Sequence, residues 1–270
     1  MKPDFSHRPR KRFGQNFLQS PHVIQQIIGT VNARPNDNLI EIGPGLGVLT
    51  KFLLAQVNHL NVIEIDRDLA SKLAVSLDNS QKLTIHTQDV LHFDFNVFAT
   101  KNMRVVGNLP YNITTPLIFH LLKFQSKIQD MHFMLQKEVV ERLCAEPNSK
   151  DYGRLSIMAQ YHCDTEYLFS VDPSAFYPSP KVNSAFVRLI PRPFPITATN
   201  ITLLQNITRD AFNLRRKTLS NALKPYLKLE DFIALELKPT LRPEVLSVTD
   251  FVKISNYIDQ RLKTSDQDES

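Results

Sequence analysis

Leu39-Ile40-Glu41-Ile42-Gly43-Pro44-Gly45-Leu46-Gly47-Val48-Leu49-Thr50-Lys51-Phe52-Leu53-Leu54 is the stretch whose reading decides the fold. Its first four residues read as a strand, residues 43–47 as a glycine-rich turn and Val48 onward as a helix. A strand, such a turn and a helix form the front of a nucleotide-binding βαβ unit, because glycines permit unusual φ values and let a ligand approach the backbone. The spacing is G-x-G-x-G and not the G-x-G-x-x-G of dinucleotide sites. No Lys-Ser/Thr pair follows, which argues against a Walker-type nucleotide hydrolase.

Three further strands extend the pattern. Leu60–Asp66 carries Glu64, 21 residues after Gly43. An acid at that distance, at a strand end, can accept from both hydroxyls of a ribose. The alternative is a helix-capping acid, a role that Asp66 fits better. Leu83–His86 leads to Asp89, where a carboxylate would accept from an adenine amine. Met103–Gly107 delivers Asn108-Leu109-Pro110-Tyr111. The Asn108 amide offers an acceptor and two donors. Pro110 lacks an N–H and biases Leu109 toward an extended conformation, so backbone carbonyls there can point outward. Tyr111 offers a flat ring on which a base can stack. Together these residues suit a planar group bearing an exocyclic amine; a polar turn with a packed Tyr is the plainer alternative. Gly43, Glu64, Asp89 and Asn108 thus stand at successive strand tips, in register for one ligand.

Pro116–Leu122 reads as a buried helix, Asp130–Leu135 as a fifth strand, Lys137–Ala145 and Arg154–Cys163 as helices, and Tyr167–Val171 and Ser184–Ile190 as further strands. Before all of these, Ser20-Pro21 looks like a helix start, with Ser as N-cap and Pro at the first position. The expected fold class is α/β: a Rossmann-like sheet with helices on both faces. Pro191-Arg192-Pro193-Phe194-Pro195 reads as a linker, and residues 201–262 show only helical stripes, with one helix beginning at Leu241-Arg242-Pro243-Glu244. Two domains are expected: residues 1–192 with an N-terminal arm, and a small all-α domain over 193–270.

The net charge of +5 is unevenly spread. Residues 2–12 hold five basic side chains against Asp4, and residues 209–228 hold six against Asp210. Arg10, Lys11, Arg12, Arg215, Arg216 and Lys217 are therefore candidates for salt-sensitive contacts to a nucleic-acid backbone; a solvated surface is the alternative. Cys144 and Cys163 are too few for a disulfide scaffold or a Cys-rich zinc site, and the eight His are scattered, so no metal is expected. No apolar run approaches the roughly 20 residues of a membrane span, and the first residues lack the apolar segment of a signal peptide. A cytoplasmic protein without a membrane partner, monomeric by default, is expected.

Glu41-Ile42-Gly43-Pro44-Gly45-Leu46-Gly47, Asp89 and Asn108-Leu109-Pro110-Tyr111 resemble the motifs of S-adenosylmethionine-dependent adenine-N6 methyltransferases. Arg12-Phe13-Gly14-Gln15-Asn16-Phe17-Leu18 and Phe176-Tyr177-Pro178-Ser179-Pro180-Lys181-Val182 narrow the resemblance to the ribosomal RNA adenine dimethyltransferases. Arg215-Arg216-Lys217-Thr218-Leu219-Ser220-Asn221 is similar to their bacterial small-subunit branch. The resemblance runs from about residue 8 to residue 260. It implies S-adenosyl-L-methionine as cofactor, held by Asn16, Leu18, Gly43, Gly45, Glu64, Asp89 and Asn108. It implies transfer to N6 of two adjacent adenosines in the 3′-terminal hairpin of 16S rRNA, within an immature small ribosomal subunit. Asn108 and the Leu109 carbonyl would hold the amine, and Tyr111 and Phe176 would sandwich the flipped-out base; core packing beneath its loop is the alternative for Phe176. DNA adenine-N6 methylation, and a non-catalytic assembly or transcription factor that keeps the fold, are the competing readings.

Overall fold

A computed structural model describes residue 10 and residues 14–77, 81–98, 102–213 and 217–268. Two compact units emerge, one of residues 1–140 and 165–191, the other of residues 141–164 and 192–270.

In the first unit the chain enters through β1 (Phe17–Leu18) and α1 (Pro21–Val31). Ser20 caps α1, its side chain accepting from the Val23 N–H, with Pro21 at the first turn. The apolar stripe Ile24, Ile27, Ile28 and Val31 is buried, and Asn32 ends the helix in the left-handed region at φ 46°. Then follow β2 (Asn38–Ile42), α2 (Val48–Leu54), β3 (Leu60–Ile63), α3 (Arg67–Ser76), β4 (Leu83–His86), β5 (Met103–Asn108), α4 (Thr114–Leu122) and β6 (Ile128–Gln136). The chain continues through α5 (Lys137–Leu143), enters the second unit for α6 (Arg154–His162), and then forms β7 (Cys163–Val171), β8 (Phe176–Tyr177) and β9 (Ser184–Pro191).

Seven strands form one sheet in the order β4-β3-β2-β5-β6-β9-β7, and β1 pairs with β8 in a separate ribbon. The strands from β4 to β6 are parallel, and β9 is antiparallel to β6. Chain order reverses between β2 and β5. In an open α/β sheet this switch point, at the carboxyl ends of the strands, is where a ligand binds. The central strands are near-continuous apolar runs, as burial on both faces requires: Leu39, Ile40 and Ile42 of β2 and Val105 and Val106 of β5 are almost fully buried. Asp66 caps α3 by accepting from the Asp68 N–H, the role its position suggests.

The second unit adds α7 (Ile201–Asn213), α8 (Leu219–Ala222), α9 (Leu229–Ala234) and α10 (Val248–Asp268). Two differences from the sequence pattern appear here. Residues 141–164, expected in the first domain, group with the C-terminal helices. The reason is burial: α6 buries Leu155, Ile157, Met158 and Ala159 and packs against α7 and α10, the Thr208 hydroxyl of α7 lies 3.7 Å from Met158 Sδ, and Tyr152 meets the Phe212 ring edge-on. The helix expected from Leu241 also starts later. Pro243–Val245 makes a single 3-10 turn, and a reciprocal capping pair, Ser247 N–H to Asp250 Oδ2 (2.9 Å) and Asp250 N–H to Ser247 Oγ (3.2 Å), then begins α10.

Candidate active site

Strand register brings the candidate ligand residues to one edge. Ile42 lies opposite both Ile63 and Gly107, and Ile63 opposite His86. Gly43, Glu64 and Asn108 therefore leave the sheet side by side, with Asp89 just beyond β4. A cavity of about 320 Å³ opens there, within the roughly 300–1,000 Å³ of small-molecule sites. Asn16, Leu18, Gly43, Gly45, Glu64, Asp89 and Asn108 all line it, together with Leu109 and Pro110. The structure thus brings together the four strand-tip residues of the sequence pattern and the three, Asn16, Leu18 and Gly45, that the family resemblance added.

Each wall has a local cause. Gly43, Gly45 and Gly47 have φ of 66°, 57° and 76°, so the turn is left-handed at alternate residues. At Gly45 a Cβ would also stand only 3.2 Å from the Phe17 ring, which the arm lays against the turn. The Gly45 N–H donates to Glu64 Oε2 (3.1 Å) and the Asp66 N–H to Glu64 Oε1 (2.9 Å). Each oxygen keeps a lone pair for a hydroxyl. Burial pushes the Glu64 pKa up, against the downward pull of those two N–H donors. Asp89 accepts from the Leu91 N–H (2.9 Å), capping the 3-10 turn Val90–His92.

Asn108 donates from Nδ2 to the Asn16 carbonyl at 2.9 Å. That bond orients the amide and commits one of its donors. Leu109 donates its N–H to the Met134 carbonyl (3.1 Å). Asn108 Oδ1 and the Leu109 carbonyl, acceptors on consecutive residues of the cavity wall, make no hydrogen bond with other described residues. Gly107 beneath them has no room for a side chain, since a Cβ would meet the Ile42 carbonyl oxygen at 2.6 Å.

The structure also shows residues that the sequence pattern passed over. Glu41 precedes the turn and lines the cavity. It is 2% exposed, and its Oε2 has no hydrogen-bond partner among the described residues. Burial pushes its pKa up to about 8, partly countered by the nearby Thr50 hydroxyl. A strand acid flanked by two Ile is the signal that could have revealed it. Gln15 also lines the cavity and donates from Nε2 to Asp66 Oδ2 (3.2 Å).

Two aromatic expectations need correction or qualification. Phe176 is 4% exposed and packs in the core with Leu18, Val171 and Phe186, away from the cavity lining. On the ribbon Leu18 pairs with Phe176 and Phe17 with Tyr177. Neighbours along a strand face opposite ways, so the inward turn of Phe176 leaves Tyr177, 45% exposed, on the face shared with Phe17. Tyr111 lies outside the cavity lining. It is half-buried, with its hydroxyl 2.8 Å from Ser184 Oγ.

Among the basic candidates, Arg10 is engaged within the protein, ion-paired with Asp66 and Asp68. Its guanidinium therefore does not stand ready for a phosphate as expected. Lys217 is exposed. Lys11, Arg12, Arg215 and Arg216 lie outside the described residues. Among the described residues no group of His, Cys, Asp or Glu could hold a metal ion, and no helix is long and apolar enough to cross a membrane.

A doubly wound sheet whose switch point holds a Gly-rich turn, a buried carboxylate and an amide–carbonyl acceptor pair defines a nucleotide-binding α/β protein. Comparison with known proteins gives the family: residues 6–260 match the model of the ribosomal RNA adenine dimethylases, and the chain belongs to that family. It is 54% identical over 258 residues to the ribosomal RNA small subunit methyltransferase A of Pseudomonas aeruginosa, covering 94% of this chain and 96% of that one. Its identity to the Coxiella burnetii protein of the same name is 52% over 251 residues, covering 92% and 97%. The dimethyladenosine transferase of Plasmodium falciparum superposes with a TM-score of 0.78 at 26% identity, over 90% of this chain and 98% of that one. The protein is an S-adenosyl-L-methionine-dependent rRNA adenine dimethyltransferase.

Proposed function

We propose that the chain dimethylates N6 of two adjacent adenosines in the 3′-terminal hairpin of 16S rRNA, within an immature small ribosomal subunit. The observation that carries this reading is the pair of acceptors, Asn108 Oδ1 and the Leu109 carbonyl, in the wall of the cofactor cavity. The names of relatives at above 50% identity support the small subunit as the target.

The donor set fits the cofactor. Glu64 suits its ribose hydroxyls, Asp89 its adenine amine, and Gly43 and Gly45 allow close backbone approach. Glu41 is a buried acceptor suited to a cationic group, and Asn16 and Leu18 cover the cleft from the arm. When bound, S-adenosyl-L-methionine supplies a methyl group on a sulfonium that leaves readily.

The difficulty lies with the nucleophile, because the adenine N6 lone pair is delocalised into the ring. Asn108 Oδ1 and the Leu109 carbonyl accept the two N6 hydrogens and favour the positive charge that develops on nitrogen. Holding the amine in line with the methyl group contributes much of the remainder. Tyr111 offers a face to the flipped-out base. The methylated N6 releases one proton to solvent after the first transfer and keeps one hydrogen, so the second transfer relies on one acceptor and on positioning. Lys217 and its basic neighbours in the helical unit contact rRNA phosphates. The protein acts as a cytoplasmic monomer.

The test uses radiolabelled S-adenosyl-L-methionine with small subunits lacking the modification, free 16S rRNA and duplex DNA side by side. Label recovered as N6,N6-dimethyladenosine from the subunits supports the proposal. Transfer to free rRNA in preference to subunits overturns the substrate state, and transfer to DNA alone overturns the target.

A further inference from the structure

Asp66 lies at the junction between the arm and the cofactor cleft. Its side chain is completely buried, yet it collects donors from two sides. Arg10 Nη1 donates to Oδ1 at 3.0 Å and Gln15 Nε2 to Oδ2 at 3.2 Å. Arg10 pairs through Nη2 with Asp68 as well, and its backbone N–H donates to Gln15 Oε1 (2.9 Å). In the other direction the Asp66 N–H donates to Glu64 Oε1 at 2.9 Å, while Glu64 Oε2 accepts from Gly45. Two sets of hydrogen bonds thus meet at Asp66: its carboxylate accepts from Arg10 and Gln15 of the arm, and its backbone N–H donates to the cavity carboxylate Glu64, which also accepts from the glycine turn. On the opposite wall the same arm is held by Asn108 Nδ2 on the Asn16 carbonyl.

We propose that Asp66 is a positioning residue for cofactor binding: its carboxylate latches the arm over the cleft through Arg10 and Gln15, beside the Glu64 carboxylate that its backbone N–H holds. Arg10 then serves the latch and not an rRNA phosphate. The inference rests on the cavity being the cofactor site. A carboxylate is needed at Asp66 because it accepts from a guanidinium, an amide and the first turn of α3 at once. An Asn there keeps the helix cap but presents an NH2 group to donors. Arg10 and Asp68 are partly exposed, so the outer half of the latch is open to screening by salt.

The experiment compares wild type with Asp66→Asn and Arg10→Ala in the full chain. Cofactor dissociation is followed by stopped-flow and by calorimetry, and steady-state kinetics are measured on small subunits. Both variants are expected to raise the cofactor Kd and KM at least fivefold, and by more than any fall in kcat at saturating cofactor. Wild-type cofactor dissociation should accelerate with added KCl, and that salt dependence should flatten in Arg10→Ala. Melting temperatures separate the effect from loss of the α3 cap. Wild-type cofactor affinity in both variants overturns the proposal. So does an Arg10→Ala protein whose only defect is a raised KM for the subunit, which would make Arg10 a phosphate ligand. If wild type binds no S-adenosyl-L-methionine, the cavity assignment itself fails.

Discussion

The Asn108 amide donates to the Asn16 carbonyl over 2.9 Å, although 92 residues separate the two. The bond sets the orientation of the amide, so that Oδ1 is the atom left to receive a hydrogen. Asn108→Ala removes that acceptor. Removing one preorganised polar group from an active site costs about 10²–10³-fold in kcat. Methyl transfer to small subunits at saturating cofactor is expected to fall by that factor, with the rise in cofactor Kd from the lost Asn16 contact measured separately by calorimetry. Near-wild-type transfer would remove Asn108 from the mechanism.

Phe176 and Tyr177 are expected to separate cleanly into structure and surface. Phe176→Ala opens a cavity in the core and should cost about 3–5 kcal/mol in urea unfolding, whereas Tyr177→Ala should cost less than about 1 kcal/mol. Phe176→Leu, which keeps an apolar group in the core, should leave the KM for the subunit within about twofold. A large rise in that KM with stability intact would restore Phe176 to the base-stacking role its motif suggests.

Glu41 has a pH signature. Its pKa rises from an ordinary 4.5 to about 8 on folding, chiefly through burial. Between those values the folded state holds a proton that the unfolded chain has released, so stability falls as pH rises. The slope for one proton is up to about 1.4 kcal/mol per pH unit. Chemical denaturation of the cofactor-free protein from pH 5 to pH 8 should show that decline, and Glu41→Gln should flatten it. An identical pH profile in the variant would mean that the buried carboxyl does not titrate in this range.

At the opposite ends of the same strands Arg104 joins three elements. It is buried and donates from Nε to Asp130 on β6 (3.0 Å), from Nη1 to Asp37 (2.7 Å) and from Nη2 to the Val31 carbonyl (2.8 Å). Among the described residues, Arg104→Met leaves the buried Asp130 carboxylate with only the His132 ring, 3.5 Å away, and Asp37 without its guanidinium, a change that costs up to about 3–5 kcal/mol. Lys does not restore the planar fork. Thermal unfolding should show both variants destabilised, with Met the worse; a melting temperature unchanged in either would mean that the network adds no net stability.

Much of the architecture was legible in local chemistry. The run from Leu39 to Leu54 specifies strand, left-handed turn and helix, because alternate glycines admit positive φ and the flanking residues carry the right periodicity. Ser20-Pro21 marks a helix start, and Asp66 a cap, through bonds that span two or three residues. Glu64, Asp89 and Asn108 could be placed at strand ends because a parallel sheet brings those ends to one edge whatever the loops between them do.

Other features depend on partners distant in the chain, and only the tertiary structure decided them. Phe176 and Tyr177 are neighbours of similar chemistry. Which one is buried follows from the pairing of Leu18 with Phe176, a register that lies in neither segment alone. Arg10 reads as a free cation until Asp66 and Asp68 are brought beside it. Residues 141–164 read as a continuation of the sheet domain until α7 and α10 cover the apolar face of α6. Glu41 reads as one acid in an apolar strand, and burial within the sheet is what leaves its Oε2 without a partner among the described residues, in the wall of the cleft. In each case sequence determines what a residue can offer, whereas solvation and long-range pairing determine what it faces.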